Sequence, residues 1–385
     1  MNKITVGMIG SGFAATIHAN AYKRIYGLDI NFKSIASLDK NVIEFANKFS
    51  IKNIFSDYME ILRDPEIDVV DIVTPPFLHA QMILDAISCG KHVICEKPLT
   101  AAYITEMNGK LVSKHDMFNM ITEEMALMRD KILASGLQFM YAENWIYFPS
   151  IEKSESILSR RNGKILMIKA EESHSGSHAA HSSHWRYNGG GSLIRQGCHP
   201  LSAAIYLKMQ EGKRKGISIN VESIVADVSA ITKQLTDDEL TYIDARPVDV
   251  EDNASISVSF TDGTKANVIA TDIAIGGVRN SIEIFSTNSL IHCNVSPNPE
   301  VQGYFADDCG MNDIYLAEKL GNKTGWQFIA SNDEVARGYN AEIQDFMECV
   351  SFNRMPRSGF RLAYETIRTI YAAYASAESN QRIFL

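Results

Sequence analysis

The amino-acid sequence predicts an α/β protein of two domains: a doubly wound parallel sheet over residues 1–145, and an α+β domain with a large open, mainly antiparallel sheet over 146–385. Three observations carry this. Short β-branched runs alternate with helix-period stretches from Ile4 to about Met140, which implies βαβ crossovers and a sheet covered on both faces. After Ser150 the strands lengthen and follow one another directly, the mark of hairpin connections. The length of 385 residues allows two or three domains at roughly 150 residues each.

In chain order the first half reads ITVGMIG, a helical run through Ile25, FKSIAS, a helical run at Val42 to Phe49, DVVDIVT, a helix from about His79 to Ser88, HVICEKP and LQFMYA. The stretch from Pro98 to Gly136 is long for one crossover and predicts two helices or an inserted turn. The second half reads KILMIKAEES, INVESIVADVSAITK, ASISVSF, KANVIATDIAI and NSIEIFSTNSLIHCNV, then helical runs at Asn340 to Phe352 and Arg361 to Ser379. Asp262-Gly263, between ASISVSF and KANVIA, predicts a type I′ turn with positive φ at both central positions.

Lysine and arginine number 37 against 46 aspartates and glutamates, a formal charge of −9. That balance argues against nucleic acid or an anionic membrane as partner, since both are bound through basic patches. The six cysteines, Cys89, Cys95, Cys198, Cys293, Cys309 and Cys349, contain no CxxC pair and read as reduced thiols of an intracellular protein. The strand pattern begins within four residues of Met1, and no apolar run approaches the roughly 18 residues that span a bilayer. A cytoplasmic, soluble location is expected.

Gly10-Ser11-Gly12-Phe13-Ala14-Ala15 follows the first strand and opens a helix, the context a dinucleotide-binding turn requires. Gly10 permits the tight turn, Gly12 lets the backbone approach a pyrophosphate, and Ala15 lets the helix pack on the sheet. Phe13 and Ala14 are expected among the cofactor contacts, where the helix N-terminus offers N–H donors. At the end of the second strand Ser37 stands where an acid usually meets the ribose, with Asp39 and Lys40 just beyond. No arginine follows directly, so NAD is expected, with NADP as the alternative. Lys97, in Glu96-Lys97-Pro98, ends the strand HVICEKP at the carboxyl edge where such sheets bind ligands.

Five motifs, GSGFAATIH with His18, TPPFLH ending at His79, CEKPLT, AENWIYFP and GGGSLIRQGCH, resemble in their order the glucose-fructose oxidoreductase and inositol dehydrogenase family. The resemblance spans nearly the whole chain. It implies an N-terminal Rossmann domain and a second domain whose open sheet serves substrate binding and oligomer contacts. It also implies that Lys97 hydrogen-bonds the reacting oxygen and the nicotinamide ribose, and that Thr74, Pro75, Leu78 and His79 line the cofactor groove. Glu96 and Asn144 would lie against the cofactor, and Trp185-Arg186 would approach the nicotinamide. Where the family's helix usually reads Asp-x-x-x-His, this sequence keeps His199 but carries Arg195 at the aspartate position. A guanidinium one helical turn away disfavours the imidazolium and leaves His199 able to accept a proton. Alternatively, Arg195 binds an anionic group or pairs with a carboxylate.

Glu143, Trp145 and Tyr147 share one face if the strand continues through AENWIYFP, making Trp145 and Tyr147 candidate sugar contacts or core aromatics. Four histidines, His174, His178, His181 and His184, fall within eleven residues. Imidazoles suit several metals, but no metal is expected; His178 and His181 read as parts of a polar loop facing sugar hydroxyls. The implied activity is hydride transfer between a ring CH–OH of a sugar, glycoside or cyclitol and the nicotinamide, with Lys97 and His199 as the catalytic pair. The rivals are a glycosidase that oxidises its substrate transiently through NAD, and a non-catalytic cofactor or sugar sensor. A homo-oligomer, dimer or tetramer, is expected because an open sheet face is normally buried.

Overall fold

The structure, a computed structural model, describes residues 3–385 apart from 108, 178–179, 297–300, 312, 321 and 330–331. The chain forms two compact units. One comprises Met1–Ala101, Met120–Tyr147 and Gly338–Tyr364; the other comprises Ala102–Asn119, Phe148–Arg337 and Glu365–Leu385. The crossing at 147/148 lies close to the boundary expected from the sequence, whereas those at 101/102, 119/120, 337/338 and 364/365 fall where the sequence shows no linker.

Six strands build the first unit: β1 (Lys3–Ile9), β2 (Asp29–Ala36), β3 (Asn53–Phe55), β4 (Val69–Ile72), β5 (His92–Glu96) and β6 (Phe139–Ala142). They run parallel in the order β3-β2-β1-β4-β5-β6. The apolar runs of β1 and β4 are buried almost throughout, as a sheet covered on both faces demands. Helices α1 (Phe13–Tyr22), α2 (Val42–Phe49) and α3 (His79–Ser88) occupy the predicted crossovers. Strand β3 is not among those expected from the sequence. The long crossover carries the inserted turn that is one of its two expected forms: a small hairpin in the second unit, Glu106–Met107 against Lys110–Leu111, followed by one 22-residue helix, α4 (Lys114–Ser135).

The second unit carries helices α5 (Pro149–Arg161) and α6 (Cys198–Lys215) and a seven-stranded sheet of β7 (Ile165–Ser173), β8 (Val221–Ser229), β9 (Asn253–Phe260), β10 (Lys265–Thr271), β11 (Arg279–Ser286), β12 (Leu290–Ser296) and β13 (Ile383–Phe384). Their order is β12-β11-β7-β10-β9-β8-β13, antiparallel except for the parallel pair β7 and β10. Burial alternates along β10 because α6 covers one face, while Leu166, Val225 and Ile269 are exposed. The run NSIEIFSTNSLIHCNV is two strands, β11 and β12, and not one.

The hairpin joining β9 to β10 forms where expected but with a different turn. Gly263 has φ +82°, Asp262 does not share the positive φ, and Phe260 N–H donates to Thr264 O at 2.9 Å. This three-residue loop with a left-handed glycine replaces the type I′ turn. The last two helices are α7 (Tyr339–Phe352) and α8 (Phe360–Ser379). All six cysteines are free. Among the described residues no helix is long and apolar enough to cross a membrane.

Candidate active site

In the first unit the glycine turn sits between the ends of β1 and β2. Gly10 has φ +110°, and a Cβ there would lie 2.5 Å from the carbonyl oxygen of Val73, so only glycine fits. Gly12 caps α1 with no side-chain hydrogen bond to the helix's first N–H groups. Phe13 is exposed, Ala14 half-buried and Ala15 fully buried against the sheet. Ser37 closes the far side, its hydroxyl 2.8 Å from that of Ser11 and accepting Asp39 N–H at 3.1 Å. Asp39 and Lys40 are exposed.

Beyond β4, Thr74 and Leu78 are half-buried and Pro75 is exposed. His79 is buried with one ring nitrogen 2.9 Å from Thr74 O and the other 2.9 Å from Pro98 O. It therefore clamps the loop after β4 to the loop after β5, although burial lowers its pKa against the pull of those carbonyls. The clamp sets the chain next to Lys97, whose peptide bond to Pro98 is cis. Lys97 is half-buried, and its backbone N–H donates to Glu96 Oε2 at 2.8 Å.

After β6 the strand does not continue. Asn144–Tyr147 forms a 3-10 turn, so the alternation expected for Glu143, Trp145 and Tyr147 is replaced by a helical one. Trp145 and Tyr147 are buried, and the Tyr147 hydroxyl donates to Asp345 Oδ2 at 2.7 Å. Both are core side chains here. Asn144, which opens the turn, is also buried.

In the second unit the triple glycine seats a short helix, Ser192–Arg195, on Glu251. A Cβ on Gly191 would lie 1.8 Å from Glu251 O. The Glu251 carboxylate accepts N–H from Gly191 and Leu193, each at 2.9 Å, and the Tyr374 hydroxyl at 2.8 Å. The chain then breaks at Gln196-Gly197, and α6 begins at Cys198. Arg195 and His199 thus belong to different helices, and the single-helix spacing expected for them is not formed. The Arg195 guanidinium donates instead to Asp272, just past β10. Burial pushes the Asp272 carboxyl up, against the pull of Arg195. Arg195 and Asp272 line a small, partly open polar pocket together with Ser177, Ser183, Arg246 and Asp252.

Trp185 is buried, its indole N–H donating to Ala102 O at 2.8 Å and its ring edge-on to Tyr374. Arg186 is exposed and rests on the Tyr187 ring. In the histidine-rich loop, His174 Nδ1 accepts Gly176 N–H at 3.0 Å and lies 3.6 Å from Asp272 Oδ1. His184 pairs with Ser183, and His181 is exposed. His178 lies outside the described residues.

Residues 4–120 match the oxidoreductase family model described as an NAD-binding Rossmann fold, and residues 154–292 match the GFO/IDH/MocA C-terminal domain. Two consecutive domain matches of this kind, over well above half of the chain, decide the assignment. The chain belongs to the GFO/IDH/MocA oxidoreductase family. Among its relatives, levoglucosan dehydrogenase of Pseudarthrobacter phenanthrenivorans is 28% identical over 80% of this chain and 78% of its own. Myo-inositol 2-dehydrogenase of Thermotoga maritima is 23% identical over 99% and 98%. In fold, the chain is similar to GenD2 from gentamicin A biosynthesis in complex with NAD, with a TM-score of 0.81 at 19% identity over 100% and 97% of the two chains. It is similar also to levoglucosan dehydrogenase in complex with NADH and levoglucosan, with a TM-score of 0.75 at 23% identity over 100% and 99%.

The cofactor of this GFO/IDH/MocA member is NAD, and the residues present fit it. A Cβ on Gly12 would meet nothing within 4 Å, so the start of α1 is open to a pyrophosphate whose charge the helix dipole and free N–H groups favour. Sequence motifs mark Gly10, Gly12, Lys97, His79 and Arg195 as candidates. They miss Asp71, Glu251, Asp272 and Glu342, which no motif marks and which reach their partners only through the fold.

Proposed function

We propose that this chain oxidises a ring CH–OH of a sugar, glycoside or cyclitol to a ketone, and runs the reverse reduction when the reduced cofactor is in excess. The observation that carries the reading is Lys97: a half-buried lysine at the carboxyl end of β5, its backbone pinned by Glu96 and its loop clamped by His79. A cation held there stabilises an alkoxide as it develops, and holding the hydroxyl against it converts a bimolecular encounter into an oriented one, a gain of about 7 to 11 kcal/mol in favourable cases. His199, buried at the start of α6, is assigned the hydroxyl proton, a role that typically contributes about 10² to 10⁴ in rate. Bound NAD supplies the hydride acceptor.

The polar groups around the small pocket beside Arg195, serine hydroxyls, a guanidinium and carboxylates, are donors and acceptors of the kind ring hydroxyls use. The named activities of the sugar and cyclitol dehydrogenases among its relatives point the same way.

The test is reduced-nicotinamide absorbance over a panel that includes levoglucosan and myo-inositol. Lys97→Ala should lose at least 10²-fold in kcat/KM on the best substrate. Turnover of that variant within a few-fold of wild type would remove Lys97 from the chemistry. Cleavage of a glycoside with no net reduced cofactor would replace the dehydrogenase by a glycosidase, and cofactor binding without turnover on any sugar would make the protein a sensor.

A further inference from the structure

The first unit buries a charge cluster that the chemistry above leaves unused. His18 on α1 is fully buried, with Nδ1 2.9 Å from Asp71 Oδ2 and Nε2 3.4 Å from Glu96 Oε1. Tyr22, one turn further along α1, donates its hydroxyl to Asp71 Oδ2 at 2.9 Å. Glu143, just after β6, and Glu342 on α7 bring two more carboxyl groups to bear on the cluster. Glu342 is 1% exposed, and neither of its carboxyl oxygens has a hydrogen-bond partner among the described residues.

We propose that His18 is a positioning residue: lodged between Asp71 and Glu96, it fixes the carboxylate that holds the Lys97 N–H and so ties the phosphate-binding helix α1 to the lysine loop. This rests on the reading of the glycine turn and Lys97 as nucleotide and substrate machinery. Glu96 is the hinge of the link, since one oxygen faces His18 and the other accepts the Lys97 backbone.

Four carboxyl groups and one imidazole in a water-poor pocket cannot all be ionised. Burial opposes a charge on His18, but the carboxylates at its two ring nitrogens outweigh it and raise its pKa well above the usual histidine range. Burial would raise Glu96 as well, yet His18 and Lys97 pull it below the usual value. Glu342 has no such partner of its own. Burial, helped by Glu96, Glu143 and Asp71, pushes its carboxyl far up against the pull of His18. The directions of these shifts favour a charged imidazole between Asp71 and Glu96 and a proton on Glu342. His18 Nε2 makes no hydrogen bond among the described residues and stands 3.4 Å from Glu96 Oε1, so the tie to Glu96 is an ion pair that exists only while the ring carries its charge.

Two measurements on the full chain test this. Imidazole ¹⁵N resonances, with His18 assigned by its loss in His18→Gln, should show an imidazolium persisting well above the usual histidine range. NADH affinity, followed by fluorescence from pH 6 to 10, should fall several-fold through the same midpoint, and His18→Gln should weaken binding at pH 7 about five-fold and abolish that inflection. If His18→Gln does not fold, Glu96→Gln replaces it: the His18 midpoint must drop, and the affinity inflection must move down with it. An ordinary His18 midpoint near 6.5, or an affinity profile that ignores the His18 midpoint, overturns the proposal. Failure of the wild type to bind NADH at any pH overturns the cofactor reading instead, while the His18 titration is still read from the protein alone.

Discussion

Glu342 binds its proton more tightly in the folded chain than its ordinary value near 4.5, because its pKa is raised by burial among carboxylates. The stabilisation this represents is complete below about pH 4.5 and is lost as pH rises toward the folded pKa. His18, raised above 6.5, adds a loss of the same sign that begins about two units later. Glu342→Gln removes the first contribution only. Relative to wild type, the variant should therefore gain stability from pH 5 to pH 8, at up to about 1.4 kcal/mol per pH unit, as read from urea unfolding at both pH values. A constant difference between the two proteins would show that Glu342 is ionised in the fold. Neither group was legible as a partner in the sequence. His18 was visible as the last residue of a glycine motif, but Asp71 lies 53 positions away and Glu342 much further. Arg195 shows the same limit: pairing with a carboxylate was one of its readings, yet Asp272 lies 77 positions on.

Elements were more legible than contacts, because periodicity is a local property. Five of the six strands of the first sheet stand close to where alternation put them; the short edge strand β3 was not read. Errors arose where a single residue redirects the chain. Gly197 was read as one letter of a motif, but a Cβ there would lie 2.5 Å from Leu193 O and 2.9 Å from Ala270 Cβ. It is a close-packing point at which one helix stops and the next begins. At the β9–β10 hairpin the residue pair was right and the turn type wrong, since only Gly263 takes the left-handed conformation. Gly263→Ala meets nothing within 4 Å, so its cost is conformational alone. The loss should be about 1 kcal/mol, seen as a lower urea midpoint with unchanged m.

At the scale of the whole molecule, the first unit is not a continuous stretch of chain. Its six-stranded sheet is complete by Ala142, but α7 comes from Gly338–Tyr364. That segment packs against α1 and supplies Asp345 to the buried Tyr147 hydroxyl. A fragment ending at residue 150 would leave the apolar face of α1 and a buried tyrosine without their partners. It should show no cooperative thermal transition, whereas the full chain should; a sharp melt of the fragment would show that the returning segment is dispensable. The change in strand pattern near Ser150 was legible in the sequence. The return of the chain was not, because an amphipathic helix near residue 340 carries no mark of which sheet it will cover.

The same path has a consequence for synthesis. A nascent chain emerges at about 5 to 20 residues per second, and about 190 residues, Phe148–Arg337, separate Tyr147 from the segment that completes its unit. For roughly 10 to 40 s on the ribosome the nucleotide-binding half waits while its α1 face lacks the segment that covers it in the finished fold.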